Sequence, residues 1–333
     1  MADAGDQSLI DDLVQFNVAS ADTRPSKAKR AQHPKHHGCV CAVFNVLDGL
    51  PEDLRHGIFA RPQRFEAWVR FSNGRVDDDR RADAHGMAIK LLGVPGDKLT
   101  GVAESEHDFI MVDSETFFTG DLSDYLMINR GAVRSSRNPL HAAFFWPWMF
   151  LFHRSLLMRT IAFVNHSPVS PLAIRYFSGV PYRLGHRAVK YVVRPRLAMQ
   201  PPGRLASPNG LATALVDRLS YTDASFDFGV DVQTDADAQP IEDPTVSWST
   251  QRNARREWLA VIEIPRQDVD PHSHIAEDIA FSPWRVSEEH QPLGAINRAR
   301  QPIYRDMSTL RHDLNDVAPT GSQSPETDLP ANS

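Results

Sequence analysis

Apolar and polar residues alternate along several short runs of the sequence, and this pattern predicts β-strands. In the run FEAWVRFS at 65–72, every second residue is apolar and would face one side of a sheet, while the positions between carry charge on the other side. The run SFDFGVDV at 225–232 alternates as strictly. Further strands are expected at 39–46, 86–92, 109–112, 188–193 and 258–264. Short connections without a βαβ rhythm favour antiparallel pairing, and about seven such strands are enough to close a barrel.

Helical periodicity predicts helices at 9–16, between 122 and 165, near 209–222 and at 297–315. In the last of these, Arg300 and Tyr304 lie four residues apart and share a face, with Arg311 near that face further along. We therefore expect an N-terminal arm at 1–28, one large folded domain at 29–315, and a disordered tail at 316–333, where apolar residues are too few to offset the entropy of ordering.

Composition limits the partners that this chain can have. Its 333 residues carry a net charge of -6, which gives no reason to expect a nucleic acid. The apolar stretch 142–164 has the length of a membrane span but contains Arg154 and Arg159, so we expect no integral span. The part between Ala142 and Phe152 is instead expected to be a buried or interface helix, with contact to a membrane surface or an apolar substrate as the alternative.

The cysteines and the N-terminus indicate a cellular compartment. Cys39 and Cys41 are two residues apart on a predicted strand, where a disulfide between them would be strained, so reduced thiols in a reducing compartment are expected. The N-terminus carries acidic residues where a signal peptide has a basic segment followed by an apolar one. We therefore expect a cytoplasmic protein.

Four separated motifs carry a resemblance to a known family. They are RAQHPKHHG at 30–38, WVRFSNG at 68–74, DAHGMAIK at 83–90 and RARQPIYRD at 298–306. In this order they resemble the haem catalase family, whose pattern is an Arg followed by His and Lys, then VRFS, then an Asp before a GFAVK-like strand, and finally RxxxYxD. The resemblance covers roughly residues 28–315, more loosely between about 125 and 255, and the chain looks like a compact member without the additional C-terminal domain.

The resemblance implies a fold, a cofactor and a set of site residues. The fold would be α+β, with an antiparallel β-barrel surrounded by helices and haem b buried between the barrel and the C-terminal helix. Tyr304 would bind the haem iron, as tyrosine does in catalase. His33 would be the distal acid–base group, with Ser72 orienting its ring. The remaining cofactor-binding residues implied are Arg30, Arg70 and Arg311 for the haem propionates, Arg300 beside Tyr304, and Phe117 over the distal face, unless Phe117 is simply core.

Departures from the family pattern leave the substrate open. The family's distal Asn would fall near Ser105, where the sequence has no Asn; Ser105 or His107 would be the substitute donor, and Gln32 makes the pocket more polar. The substrate is then either hydrogen peroxide, as in a catalase or catalase-related peroxidase, or an organic or fatty-acid hydroperoxide that is rearranged or reduced, as in the allene oxide synthases that resemble catalases. The family resemblance also suggests a homo-oligomer.

A non-enzymatic alternative rests on the run HPKHHGCVC. Its side chains could bind zinc or copper, although their spacing fits no standard zinc pattern. The ligands in that case would be His33, His36, His37, Cys39 and Cys41.

Overall fold

The computed structural model describes residues 4–21, 28–30, 32–101, 105–196, 205–271 and 273–316. Its helices are α1 (Ala4–Ser20), α2 (Leu122–Arg137), α3 (Pro139–Phe152), α4 (Arg154–Val164), α5 (Gly210–Tyr221), α6 (His274–Asp278) and α7 (Ala295–Asn315). Its strands are β1 (His36–Val46), β2 (Arg64–Asn73), β3 (His85–Leu92), β4 (Glu106–Val112), β5 (Tyr176–Phe177), β6 (Tyr182–Leu184), β7 (Arg187–Pro195), β8 (Ala224–Val232) and β9 (Arg255–Ile264).

Every strand and helix predicted from the periodicity is present, most of them with a few more residues than predicted. The prediction missed β5, β6 and α6, which have two, three and five residues and are too short to display a period. The expected disordered tail lies, from residue 317 onward, outside the described residues.

The strands form one antiparallel sheet that closes on itself. The order is β5-β4-β3-β2-β1-β9-β8-β7-β6, and β5 also pairs with β7. Val112 of β4 pairs with Phe177 of β5, and Phe177 pairs in turn with Val192 of β7. The two-residue strand β5 therefore joins the two ends of the sheet into an eight-stranded barrel, and β6 extends it beside β7. The predicted α+β fold with an antiparallel barrel and surrounding helices is confirmed.

Aromatic side chains fill the barrel interior. The ring of Phe228 lies 5.1 Å from that of Phe44 and 4.7 Å from that of Phe109, measured between centroids, and all three side chains are buried. Strand β2 contributes Val69 and Phe71 to the same interior, as its alternation predicts. Because successive residues point to opposite faces, the residues between them, including Arg70 and Ser72, lie on the outer wall of the barrel.

Helices cover this outer wall. The guanidinium Nε of Arg70 donates to the carbonyl oxygen of Ala276 in α6 at 3.0 Å, so α6 lies against β2 from outside. Helix α1 belongs to the folded unit, since Leu13 is fully buried and Asp6 pairs with Arg298 of α7 at 3.1 Å. Among the described residues, no helix combines the length and the apolar composition that crossing a bilayer requires.

We expect Phe228→Ala to lower the free energy of unfolding by about 3–5 kcal/mol, because it removes a ring packed among other rings and leaves a cavity. Urea denaturation followed by circular dichroism measures the change. Tyr221→Ala is the matched control, since the Tyr221 side chain is 64% exposed and its loss should change stability by less than about 0.5 kcal/mol. Equal losses in the two variants would contradict this account of the core.

Candidate functional site

Two adjoining chambers form a cavity between the outer barrel wall and α7. The first, which we call the arginine chamber, has a volume of about 110 Å³ and is lined by residues that include Arg30, Arg70 and Arg311. The second, the aromatic chamber, has a volume of about 350 Å³ and is lined by residues that include Phe117, Tyr125 and Phe163. The chambers are continuous, because six residues line both: Gln32, His33, Ile110, Met111, Ile303 and Tyr304.

Nearly all the site residues predicted from the sequence line this cavity. The arginine chamber is lined by Arg30, Arg70, Arg311 and Ser72, and the aromatic chamber by Phe117 and Arg300. His33 and Tyr304 line both chambers. These residues come from the loop before β1, from β2, from the segment after β4 and from α7. Only the closed fold brings segments so far apart in sequence to a single cavity.

The loop before β1 holds His33 in a fixed and unusual conformation. Its φ of 56° is rare for a residue other than glycine. The His33 amide donates to the carbonyl of Gly74 at 2.9 Å, and its own carbonyl accepts from Arg70 Nη2 at 3.1 Å. Strained backbone held by surrounding contacts is typical of functional residues.

The imidazole of His33 is positioned by β2 and β3. Its Nδ1 lies 3.2 Å from Oγ of Ser72. A Cβ atom at Gly86 would lie 2.6 Å from the same nitrogen, so only glycine leaves room for the ring there. Burial, together with the charge of Arg70, lowers the pKa of His33 to about 4. The ring is therefore neutral at pH 7 and able to accept a proton.

On α7, Arg300 contacts the phenol of Tyr304. Its Nη2 donates to the Tyr304 hydroxyl oxygen at 3.3 Å, and its Nη1 donates to Oδ1 of Asn297 at 3.0 Å. Burial alone would lower the pKa of Arg300, but interaction with Tyr304 and Tyr182 raises it. A cation held beside the phenol oxygen stabilises negative charge on that oxygen, which is what a metal-binding phenolate requires.

Positive charge accumulates in the arginine chamber. Arg30 and Arg70 both donate to the carbonyl oxygen of Ala276, at 2.9 and 3.0 Å, and Arg311 donates to the carbonyl oxygen of Glu277. In the described part of the chain, the only carboxylate within ion-pair distance of any of the three is that of Glu277, 3.5 Å from Arg30. Burial lowers the pKa of Arg70 well below its usual value, and the charge of Arg30 adds to this. An anion entering this chamber would relieve the excess of positive charge.

Two residues of the site were not predicted. Tyr125 of α2 lines the aromatic chamber and accepts a hydrogen bond from Nε2 of Gln32 at 2.9 Å. Glu277 supplies the carboxylate among the arginines and also pairs with Nε2 of His36 at 3.2 Å. Burial alone would raise the pKa of Glu277, but the hydrogen bond with His36 and the charges of Arg30 and Arg70 lower it to about 2. Neither residue belongs to a sequence motif, so only contact in space identifies them.

The structure does not bring Ser105 to the cavity. Its side chain is exposed, and it precedes β4 at the end opposite to Ile110 and Met111, which line the chambers. His107, the alternative donor, is fully buried inside the barrel, where its ring lies 4.7 Å from the rings of Phe109 and His290. The N-terminal end of β4 lies away from the cavity, which places Ser105 in solvent and His107 inside the barrel. Neither residue therefore belongs to the site.

The structure does not bring the side chains of HPKHHGCVC together as a metal site. His36 pairs with Glu277, and Nε2 of His37 lies 3.0 Å from Oδ1 of Asn73. Within the described ranges, the one group of His, Cys and acidic side chains close enough to share an ion is His85, Asp113 and His166. In that group both imidazole Nδ1 atoms already contact the same carboxylate oxygen of Asp113, at 2.6 and 2.7 Å.

Comparison with known proteins identifies the fold. No protein-family model matches the sequence. No curated protein is significantly similar to it in sequence. Solved structures do match: a fungal catalase, with a TM-score of 0.68 and 17% identity over 97% of this chain and 69% of that one; catalase A from Saccharomyces cerevisiae, with a TM-score of 0.67 and 19% identity over 96% and 68%; and a bacterial catalase, with a TM-score of 0.61 and 17% identity over 100% and 68%.

The similarity extends over nearly the whole of this chain and about two thirds of each catalase chain. At 17–19% identity this similarity establishes the architecture alone, and any reaction has to be argued from the residues that line the cavity. The chain has a catalase-like fold.

Proposed function

We propose that this protein binds haem b in the cavity, with Tyr304 as the iron ligand, and uses it to break down peroxides. One observation carries the proposal: a phenol supported by an arginine and a neutral imidazole supported by a serine line the same cavity. A phenol that could bind the iron and an uncharged imidazole that could move a proton are the groups that a tyrosine-ligated haem would use in peroxide chemistry.

The residues present fit a haem group. The excess of guanidinium groups in the arginine chamber matches two propionates, which the planar fork of arginine binds in a bidentate manner. Apolar side chains suited to a porphyrin plane line the cavity beside Tyr304, namely Met111, Phe281, Ile303 and Met307. Arg30, Arg70 and Arg311 would hold the propionates, and Tyr304 the iron.

When bound, haem would supply the redox-active iron at which the peroxide O–O bond breaks. His33, neutral above its lowered pKa, takes the proton from one peroxide oxygen and returns it to the departing oxygen, acting first as base and then as acid. Ser72 fixes the ring during this transfer through its hydrogen bond with Nδ1. Arg300 donates to the Tyr304 oxygen and would support a phenolate there when the iron is bound. Gln32 lines both chambers together with His33, and we assign to its amide the orienting role that Ser105 does not fill.

A second candidate substrate is an organic hydroperoxide. The aromatic chamber favours it, because apolar side chains extend from His33 to the outside of the helices: Phe117, Trp146, Phe163 and Val164 all line it. Hydrogen peroxide needs no such volume. Oxygen evolution from hydrogen peroxide would support catalase activity, whereas turnover of a fatty-acid hydroperoxide without oxygen evolution would support the second substrate.

We expect Tyr304→Phe to abolish the high-spin ferric tyrosinate absorption of the haem-loaded protein, together with activity, because the phenolic oxygen is lost. Optical spectra after reconstitution with haem b measure this. Tyr125→Phe is the matched control: it removes the other phenol that lines the aromatic chamber with Tyr304 and should keep the tyrosinate spectrum. An unchanged spectrum in Tyr304→Phe, or the same loss in Tyr125→Phe, would refute the ligand assignment.

We expect His33→Ala to retain haem but to react with peroxide at least about a hundredfold more slowly, because general acid–base catalysis contributes on that scale. Stopped-flow absorbance gives the rate constant. His186→Ala, at an exposed histidine that lines neither chamber, serves as control and should react like the wild type. A rate in His33→Ala within a factor of about two of the wild type would exclude His33 as the proton acceptor.

The pH dependence follows from the pKa of His33. Because that pKa is lowered to about 4, the imidazole remains unprotonated at lower pH than an ordinary histidine. The rate constant for reaction with peroxide should therefore stay constant as pH falls through about 6.5 and decrease only near pH 4. A pH series of stopped-flow measurements tests this, and a decrease centred near the ordinary histidine pKa would count against the buried imidazole.

A further inference from the structure

Helix α3 presents its apolar side to the outside of the molecule. Leu140, Phe144, Trp148 and Leu151 recur at intervals of three or four residues and lie on one face. That face is solvent-exposed: the exposed fraction is 72% for Leu140, 75% for Phe144 and 72% for Leu151. A surface helix ordinarily turns such a face toward the core, and in α3 the one buried residue is Met149.

The apolar surface continues onto neighbouring positions. Phe150 and Phe152 at the end of α3 are exposed, and so are Met158, Ile161 and Val164 of α4. Exposed apolar patches of this kind mark sites that contact another apolar body. We call this surface, formed by the exposed residues of α3 and α4, the α3–α4 face.

Helices α3 and α4 themselves contribute no acidic residue to the α3–α4 face, and the acidic group placed against them is Asp124 of α2, which interacts with His153 and Arg159. From residue 125 to residue 216 the sequence contains no Asp and no Glu, although the whole chain is acidic with a net charge of -6. The helices of this region carry five arginines, namely Arg130, Arg134, Arg137, Arg154 and Arg159. Three of them, Arg134, Arg137 and Arg154, are exposed. Exposed aromatic rings with arginines nearby are typical of helices that lie in the boundary between water and anionic lipid.

We propose that the α3–α4 face docks on an anionic lipid bilayer, with α3 lying in the plane of the membrane surface. The apolar side chains enter the boundary between headgroups and acyl chains, and the arginines contact the anionic headgroups. A second copy of the chain fits less well. A two-fold contact would place the same surface against itself, and the exposed Arg154 of each copy would meet a surface to which α3 and α4 contribute no acidic residue.

Docking would give the cavity a direct supply of apolar substrate. The aromatic chamber is lined by Trp146 of α3 and by Thr160, Phe163 and Val164 of α4, and Val164 also belongs to the exposed face. The chamber thus extends from His33 and Tyr304 to the helices that contact the bilayer. Resting on the proposed function, this inference identifies the substrate class as hydroperoxides with long acyl chains that enter from the membrane.

The test is a vesicle-flotation experiment on the whole chain, with and without haem. The probes are vesicles of phosphatidylcholine alone and vesicles of phosphatidylcholine and phosphatidylglycerol in roughly equal parts. We expect the wild type to float with the anionic vesicles and at least about tenfold less with the neutral ones. The double variant Phe144→Asp and Leu151→Asp should lose at least about tenfold of its binding to anionic vesicles, since charges replace two of the most exposed apolar groups.

Tyr221→Asp is the matched control, because Tyr221 is an exposed aromatic residue on α5. It should bind anionic vesicles like the wild type, and circular dichroism should show that both variants are folded. The proposal is overturned if the wild type does not float with anionic vesicles or if the double variant floats equally well. It is also overturned if the wild type is a dimer that the double substitution dissociates and neither form binds vesicles. Because flotation is measured without haem as well, its outcome is independent of the haem-binding spectra.

Discussion

Closure of the barrel is the constraint on which the rest of this structure depends. The two residues of β5 pair with β4 on one side and β7 on the other, so the sheet has no open edge at that point. A closed barrel filled with aromatic rings gives each strand one inward and one outward face. Strand β2 uses this division fully, because its inner residues build the core while Arg70 and Ser72 face the cavity. The outer wall can therefore hold polar groups in fixed positions at no cost to the core.

Electrostatics then limits what the cavity can bind. Three guanidinium groups line the arginine chamber, and in the described part of the chain one carboxylate, that of Glu277, pairs with one of them, Arg30. Buried charge without compensation is costly, so such a chamber favours a ligand that carries negative charge of its own. At His33, by contrast, burial favours the uncharged imidazole, which can accept a proton. The cavity thus combines three guanidinium groups, a phenol beside a cation and an uncharged imidazole, and the haem proposed above would use all three.

The chain departs from an ordinary globular surface on the side of α3 and α4. Apolar residues there face outward, and the charged residues that α3 and α4 contribute are all arginines. Both features lie next to the aromatic chamber.

The sequence by itself determined the elements, since alternation and helical periodicity follow from local geometry and from which residues avoid water. Short local motifs also predicted that His33, Ser72, Arg70 and Tyr304 belong to one site. Tertiary structure alone decided the other points. The two residues of β5 carry no period, yet they close the barrel. Tyr125 lies 93 residues from Gln32 in sequence and contacts it only because the fold brings both to the cavity. Ser105 was predicted from its sequence position to lie in the site, but its side chain faces solvent. Contacts between distant segments depend on how the whole barrel closes, and no local pattern encodes that.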